Sequence, residues 1–324
     1  MNGGKMLLLN KFVHIGRQLV NISPAETPRT ETRKRGLATP YLFLFPGITI
    51  YLITIIFPIL KAFQISFYDW KVLPGVKSPF LGFQNYSRAL HDPVFWRGLA
   101  NSGFYMLVTV PPQIFLGLMI AMLLNKKIIG RSTFRVLYYL PVVTSWVVVS
   151  LLFQYLFSSE GGLFNWVLKD VLHLVGTDVE WFGSRWPAML AISALGIWKG
   201  IGWSMIIFLA ALQTVNPELI EASAIDGAGS IRRFSAVIVP AVRRTATFIT
   251  IMLVIGGFNV FLSVFLMTEG GPSGATEVVL TYMYRQAFSY LDFGYGSAIA
   301  FLLTGVIFSI SLFQWKFFRP GDEK

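Results

Sequence analysis

The sequence predicts an all-α polytopic membrane protein with six transmembrane helices. Its 324 residues are 54% hydrophobic and only 13% charged, whereas about 25% of the residues of an average soluble domain are charged. The apolar residues form six runs of roughly 20 residues or more, which is enough for a helix to cross about 30 Å of hydrocarbon. None of these runs has an acidic residue well inside it, although the chain contains 16. A soluble globule and a disordered chain are both excluded.

The six predicted spans lie near 41–67, 100–124, 136–157, 188–212, 245–267 and 296–317. Prolines occur in the first two spans, at Pro46, Pro58 and Pro111-Pro112. A packed helical bundle in lipid tolerates such residues better than an isolated soluble helix does. We therefore expect kinks in these two spans.

The basic residues are distributed unevenly between the loops. If the N-terminus is cytoplasmic, the inward-facing segments carry 18 of the 27 Lys and Arg residues, and the outward loops carry seven. The other two, Lys61 and Lys199, lie within predicted spans. The positive-inside rule then places both termini in the cytoplasm, with the chain in a bacterial-type cytoplasmic membrane. Topology thus explains the net charge of +11, and nucleic acid is not needed as a partner.

The chain is expected to divide into an N-terminal cytoplasmic tail (1–39), a first helix with its outer loop (40–98), a transmembrane core (99–317) and a C-terminal tail (318–324). In the first tail, Met6–Val20 has apolar residues loosely at helical spacing, with two basic residues between them. An interfacial helix on anionic lipid is one interpretation. An extension without a role in transport is the other.

The most informative segment is the inward loop 216–242, between the fourth and fifth spans. Asn216 is a good N-cap residue and Pro217 fits the first position of a helix. Gly227 should end this helix, and Ser230 can cap a second one. The pattern predicts two short helices joined by a glycine bend.

The first of these helices carries residues suited to a protein partner. Ala222 and Ser223 are small and allow close approach, while Glu221 and Asp226 offer carboxylates to cations of a partner. Solubility alone does not require this arrangement.

The loop carries a recognisable motif. Glu221-Ala222-Ser223, then Gly227, then Val237–Pro240 resembles the EAA loop of ATP-binding-cassette (ABC) importer permeases, whose pattern is EAA, three residues, G, nine residues and I-x-L-P. The spacing matches, and the glutamate, glycine and proline are in place. The loop also precedes the penultimate span, as it does in that family.

Other segments resemble the carbohydrate-uptake branch of this family, the permeases of the maltose and glycerol-phosphate type. The resemblance covers about 280 residues and departs from the branch at Glu269, where glycine or a small polar residue is common. The segments that carry it are SFYDW (66–70), FLGFQNYSRALHDPVFW (80–96), GRSTFRVLYYLP (130–141) and TEGGP (268–272).

The resemblance implies a type I ABC importer permease fold, partners and roles for the loop residues. The loop would form a coupling helix that docks in a cleft of an ATPase dimer, with Glu221 paired to a basic group, Ala222 and Ser223 packed closely and Gly227 making the bend. A second permease, forming a heterodimer, and an extracytoplasmic sugar-binding protein would complete the importer. The chain itself would hold no cofactor, since ATP and Mg²⁺ would bind to the ATPase partner.

A buried cation marks a candidate substrate path. Lys199 lies near the middle of the fourth span, where an isolated charge costs on the order of 3 kcal/mol and usually faces a cavity or a partner. Trp198, Gly200 and Trp203 surround it in sequence. Aromatic faces beside polar groups suit sugars. Lys199 could instead snorkel or bind a carbonyl group, and the Trp and Gly residues could serve helix packing.

The resemblance extends the candidate path to the next helix, because this helix also lines the sugar path in the family. It nominates Gly257 in the Gly256-Gly257 pair, Phe258 and Asn259. Packing between helices is again the alternative explanation.

Other functions find less support in the sequence. The chain has no cysteine and no phosphate-binding loop of the Walker type, and the histidines are scattered, so we expect neither an enzyme nor a metal site. A secondary transporter would be expected to place carboxylates or histidines inside the spans. A permease for an amino acid or a peptide remains the nearest alternative to a sugar permease.

Overall fold

A computed structural model describes residues 38–73, 75–126 and 128–318, with side chains from residue 41 to residue 317. Helices are the regular structure throughout these ranges, apart from one isolated antiparallel bridge between Tyr68 and Phe80. The all-α fold class is confirmed. The predicted interfacial helix Met6–Val20, with the rest of the tail up to residue 37, and the last six residues lie outside the described ranges.

We number the described helices in chain order. They are α1 (Tyr41–Ile65), α2 (Gln84–His91), α3 (Pro93–Asn125), α4 (Arg131–Val143), α5 (Trp146–Leu156), α6 (Leu163–Trp166, continued as a π-helical turn to Val171), α7 (Arg185–Gln213), α8 (Pro217–Ile225), α9 (Ser230–Phe258), α10 (Leu262–Met267), α11 (Val279–Tyr284) and α12 (Phe293–Phe317).

Five of these helices, α1, α3, α7, α9 and α12, are each long and apolar enough to cross a membrane. The third predicted span, near 136–157, corresponds to the pair α4 and α5, which meet at 95°. If this pair crosses the membrane as one span, the described helices provide six spans, and the third of them is broken at Thr144. Thr144 adopts an extended backbone with ψ of 150°, so the helix cannot continue, and a side chain from α7 supplies hydrogen bonds to the carbonyls left free there.

The fifth span is displaced from its predicted position at 245–267. Helix α9 already begins at Ser230 and runs through Pro240 without ending. A wider π-helical turn, Phe234–Ile238, ends two residues before this proline. A π-helical turn pairs residues five apart instead of four, so it changes the backbone hydrogen bonds that a proline would otherwise interrupt. At the other end, α9 stops at Phe258, and residues up to Met267 form the separate helix α10.

The described residues up to Pro58 form one compact unit, and those from Ile59 onward form another. The second unit contains three clusters of buried apolar side chains. One joins α3, α5, α7 and α10, one joins α2, α3, α9, α11 and α12, and one joins α3, α7 and α9 near the 216–242 loop. Helix α3 contributes to all three and is therefore central to this unit.

Candidate functional site

Helix α3 carries a polar stripe in an otherwise apolar span. Asn101, Tyr105, Thr109 and Gln113 are spaced four residues apart and therefore share one helix face. All four are buried. In a span without acidic residues, a buried polar stripe of this length indicates a packed or functional face.

This stripe packs against glycines on α7. A Cβ atom built on Gly196 would collide with the hydroxyl group of Tyr105, and one on Gly200 would collide with the side-chain amide of Gln113. The two glycines are four residues apart, the spacing that lets membrane helices approach closely. The polar groups of α3 are thereby held beside α7, where two cavities open.

The first cavity has a volume of about 220 Å³ and lies between α3, α7, α9 and the turn after α4. The second has a volume of about 400 Å³ and reaches the break between α9 and α10. Tyr105, Trp146 and Gly256 line both cavities. Aromatic surfaces combined with a few polar groups are typical of sites for small polar ligands.

Lys199 lies at the edge of the first cavity, and its side chain is directed to the broken span. Its residue is only 4% exposed. The Nζ atom donates to the carbonyl oxygens of Pro141 at 2.6 Å, Val142 at 3.3 Å and Thr144 at 2.6 Å. The ring of Trp146 is 4.9 Å away. These contacts correspond to carbonyl binding, one of the interpretations that the sequence left open.

The other predicted path residues divide between the cavities and the packed interior. Gly200, Trp203 and Gly257 line the first cavity together with Lys199, and Asn259 lines the second. Phe258 is 4% exposed and belongs to a core cluster. Trp198 packs against Phe153 on α5, with ring centroids 5.5 Å apart. The role of these residues in a substrate path stays a prediction.

Several residues that line the first cavity were not predicted from the sequence, among them Tyr105, Gln113 and Trp146. Tyr105 and Gln113 belong to the polar stripe, whose four-residue spacing was a usable signal. Trp146 gave no such signal, because its position depends on the 95° bend. Gln113 has no side-chain hydrogen bond within the described ranges, so its amide is available to a ligand.

The loop 216–242 has the helix, bend and second helix predicted for it, but the second helix is not short, because it continues as α9 to Phe258. The side chain of Asn216 accepts a hydrogen bond from the backbone amide of Glu218 at 3.0 Å and caps α8. Gly227 has φ of +74°, which only glycine adopts readily, and it makes the bend. The cap of the second helix was predicted one residue too late, because Gly229 occupies the N-cap position and Ser230 is the first helical residue.

Most predicted contact residues of this loop are exposed. Glu221, Ala222, Asp226 and Gly227 are exposed, and Ser223 is half-buried and bonds back to its own helix. Large apolar side chains lie beside them, with exposures of 57% for Leu219, 86% for Ile225 and 85% for Ile231. Exposed apolar groups clustered with carboxylates are typical of a protein-binding surface.

The loop between α10 and α11 is held by a second polar cluster. The side-chain amide of Asn101 donates to the carbonyl oxygens of Ala275 at 2.9 Å and Glu277 at 2.7 Å. Glu277 is 1% exposed and pairs with Arg285 at 3.0 Å. Burial raises the pKa of Glu277, and Arg285 and Thr281 lower it again in part. The ion pair with Arg285 thus offsets part of the cost of burying this carboxylate.

A further carboxylate joins three helices. Asp92 caps α3 through its bond to the amide of Val94, and it accepts hydrogen bonds from the hydroxyl groups of Tyr282 on α11 and Tyr295 on α12. Burial alone would raise the pKa of Asp92, but these hydrogen bonds hold it below its ordinary value. A charged Asp92 thus ties α3, α11 and α12 together.

The sequence matches a known family of transport proteins. A family model described as "Binding-protein-dependent transport system inner membrane component" matches residues 113–317. The chain is 34% identical over 290 residues to the probable ABC transporter permease protein YurN of Bacillus subtilis, covering 88% of this chain and 97% of YurN.

Two further similarities extend this result. The arabinooligosaccharides transport system permease protein AraP of Halalkalibacterium halodurans is 34% identical over 290 residues, covering 88% of this chain and 90% of AraP. A bacterial alginate ABC transporter, solved in complex with an alginate pentasaccharide-bound periplasmic protein, superposes with a TM-score of 0.72. The superposition covers 86% of this chain and 93% of the other at 24% identity, which shows a common fold.

Proposed function

The chain belongs to the family of binding-protein-dependent transport system inner membrane components, and we propose that it is the permease subunit of an ABC importer that moves a sugar or oligosaccharide across the cytoplasmic membrane. AraP supports this substrate class by its name, as does the resemblance of TEGGP (268–272) to the carbohydrate-uptake branch. The observation that carries the proposal is the exposed loop 216–242, which joins two membrane-spanning helices and presents the coupling motif.

Coupling to ATP hydrolysis would pass through α8. This helix connects the end of α7 to the start of α9, and each of these helices has 29 residues. A displacement of α8 would therefore tilt both long helices. A partner ATPase, which would hold ATP and Mg²⁺, would cover Leu219, Ile225 and Ile231 and pair a cation with Glu221. Closing and opening of the ATPase pair would then alternate the access of the cavities to the two sides.

The orientation follows from the basic residues. With both termini in the cytoplasm, loop 216–242 and its two arginines, Arg232 and Arg233, face the ATPase, and the loop between α10 and α11 faces the exterior. The polar anchoring of this outer loop by Asn101 and Arg285 gives an extracytoplasmic sugar-binding protein a rigid surface. A second permease subunit would complete the pathway, and surrounding lipid would cover the exposed apolar helices.

The substrate would pass the two cavities beside Tyr105 and Trp146. Their rings offer surfaces for the C–H faces of a sugar, and Gln113 offers a free amide for its hydroxyl groups. Trp203, Gly200 and Gly257 would line the same path, with Asn259 at its second part.

The coupling role is tested with Glu221→Lys in the complete complex, reconstituted in proteoliposomes with the sugar inside or outside. We expect the complex to assemble less tightly and ATP-driven uptake to fall by about tenfold or more, because a desolvated charge pair is replaced by repulsion. Glu218→Gln, in the first turn of the same helix, is the matched control and should transport normally. Unchanged uptake by an assembled Glu221→Lys complex would exclude the coupling role.

A secondary transporter is the main candidate from another class. None of the described spans contains Asp, Glu or His, which are the groups that proton- or sodium-coupled transport generally uses. An amino-acid or peptide permease of the same family stays open as an alternative substrate class, and a panel of labelled sugars, amino acids and peptides in the same uptake assay separates these cases.

A further inference from the structure

The C-terminal end of α4 lies within the broken third span, at the edge of the first cavity, and its last carbonyl groups need hydrogen-bond donors from another helix. The last carbonyl groups of any helix lack partners within that helix, and an apolar environment offers no water to replace them. At this end the carbonyl oxygens of Pro141, Val142 and Thr144 all accept hydrogen bonds from the ammonium group of Lys199. One side chain of α7 therefore caps the broken third span.

The charge of Lys199 is balanced by this helix end and not by an acid. Within the described ranges Lys199 forms no ion pair with Asp or Glu. Three carbonyl dipoles and the face of Trp146 surround the ammonium group instead, and the C-terminus of a helix favours a cation. An ammonium group has three N–H donors, which suits three carbonyl acceptors.

A second contact fixes the same segment one turn further along α7. A Cβ atom built on Gly202 would collide with the carbonyl oxygen of Tyr138 and lie 2.9 Å from the Cγ2 atom of Val142. Helix α4 thus touches α7 both at Lys199 and at Gly202. Trp146 begins α5 directly after the turn, so its position in the cavity wall follows from these two contacts.

We propose that Lys199 is a positioning residue for transport: its ammonium group fastens the turn between α4 and α5 to α7, so that Trp146 moves with α7 when α8 is displaced. This rests on the proposed function, because α8 is displaced only if an ATPase docks there. Trp146 is then the cavity wall that responds to ATP hydrolysis, and Lys199 transmits the movement without touching the substrate.

The test uses the absence of cysteine from the chain. Cysteines introduced at Val147 on α5 and Ile206 on α7, both on exposed sites, carry spin labels in the complete complex in nanodiscs, and pulsed electron paramagnetic resonance measures their separation. The parent protein should give one narrow distance distribution. Lys199→Ala should broaden or shift this distribution and lower sugar transport by about tenfold or more, which corresponds to the loss of a charge-assisted hydrogen bond.

Chemical rescue separates the hydrogen bonds from the lost volume. Propylammonium replaces the missing chain and its N–H donors, so it should narrow the distribution of Lys199→Ala and restore transport in part. Tetramethylammonium has the same charge without N–H donors and should do neither. Lys199→Arg keeps N–H donors within the protein and should retain the narrow distribution. This variant still tests the proposal if Lys199→Ala does not fold.

The proposal is overturned if Lys199→Ala keeps the parent distribution, if both ammonium ions act alike, or if Lys199→Arg gives a broad distribution while folding normally. The distance measurement requires no transport. A parent complex that moves no sugar would therefore contradict the proposed function, while the label distances still decide the role of Lys199.

Discussion

Gly202 on α7 lies directly against the backbone of α4, at the carbonyl oxygen of Tyr138. A Cβ atom at this position would collide with a backbone atom, which cannot move aside as a flexible side chain can. The missing side chain allows the backbone of the broken third span to approach α7 closely. The cavity beside Lys199 therefore depends on the absence of one side chain.

The first prediction concerns this contact. Gly202→Ala should force α4 away from α7 and destabilise the protein by about 1 to 3 kcal/mol, the usual cost of overpacking. The thermal midpoint of the purified protein in detergent measures the effect. Gly256→Ala is the control, because a Cβ atom there meets no atom within 4 Å. Equal midpoints for the two variants would show that the close packing is not required.

The second prediction concerns Asp92. Its pKa is lower in the folded protein than in the unfolded chain, so its contribution to stability is present above the unfolded pKa of about 3.9 and is lost as the pH falls through the lowered pKa of the folded state. Asp92→Asn should cost about 1 to 2 kcal/mol at neutral pH, because it keeps an N-cap oxygen but removes the charge that strengthens the hydrogen bonds from Tyr282 and Tyr295.

The same variant should also flatten the acid limb of the stability profile, measured as the thermal midpoint between pH 3 and pH 7, a range chosen around the carboxylate pKa. Tyr282→Phe and Tyr295→Phe each remove one donor to Asp92. Each should therefore flatten the acid limb less than Asp92→Asn does. A profile for Asp92→Asn parallel to that of the parent would contradict a charged Asp92.

The third prediction concerns Glu277, whose contribution to stability depends on pH in the opposite direction to that of Asp92. Burial raises the pKa of Glu277, so this group contributes stability that is fully present below its unfolded pKa and is lost as the pH rises through the raised pKa of the folded state. Arg285→Ala should destabilise the protein at neutral pH by about 2 kcal/mol or more, because it leaves a buried charge without its partner.

Glu277→Gln is the matched variant for this pair. It removes the buried charge itself, and Arg285 is 37% exposed and can be hydrated. We expect little loss of stability in Glu277→Gln, and the double variant should resemble it rather than Arg285→Ala. A larger loss in Glu277→Gln than in Arg285→Ala would contradict this ranking.

The fourth prediction concerns the polar stripe of α3. Gln113→Leu should lower the rate of sugar translocation by about fivefold, the value of one hydrogen bond, and leave assembly with the ATPase intact. Thr109→Val is the control, since the hydroxyl group of Thr109 already donates to the carbonyl oxygen of Tyr105 at 2.8 Å. Uptake assays in proteoliposomes compare the two, and a greater defect in Thr109→Val would argue against a path along Gln113.

Local signals made the membrane class, the loop 216–242 and the family predictable from the sequence. Apolar length identifies a span, and Asn216, Pro217 and Gly227 specify helix ends through their own backbone preferences, so no distant contact was needed.

The break at Thr144 could not be predicted in the same way. Apolar residues continue the run on both sides of the Thr144-Ser145 pair, and the turn is completed by Lys199, which is 55 residues away in sequence from Thr144. The early start of α9 was missed because Pro240 looked like a helix boundary, whereas the π-helical turn before it accommodates the proline. Contacts between distant residues decided the form of the cavity.

ATP-driven accumulation of a sugar in proteoliposomes tests the central claim most directly. The permease is reconstituted with its partner subunits and binding protein, and labelled oligosaccharide uptake is followed with ATP, without ATP, and with a proton or sodium gradient in place of ATP. We predict accumulation that requires ATP and is lost in Glu221→Lys. Accumulation driven by an ion gradient in the absence of ATP, or ATP-driven uptake confined to amino acids or peptides, would contradict the account.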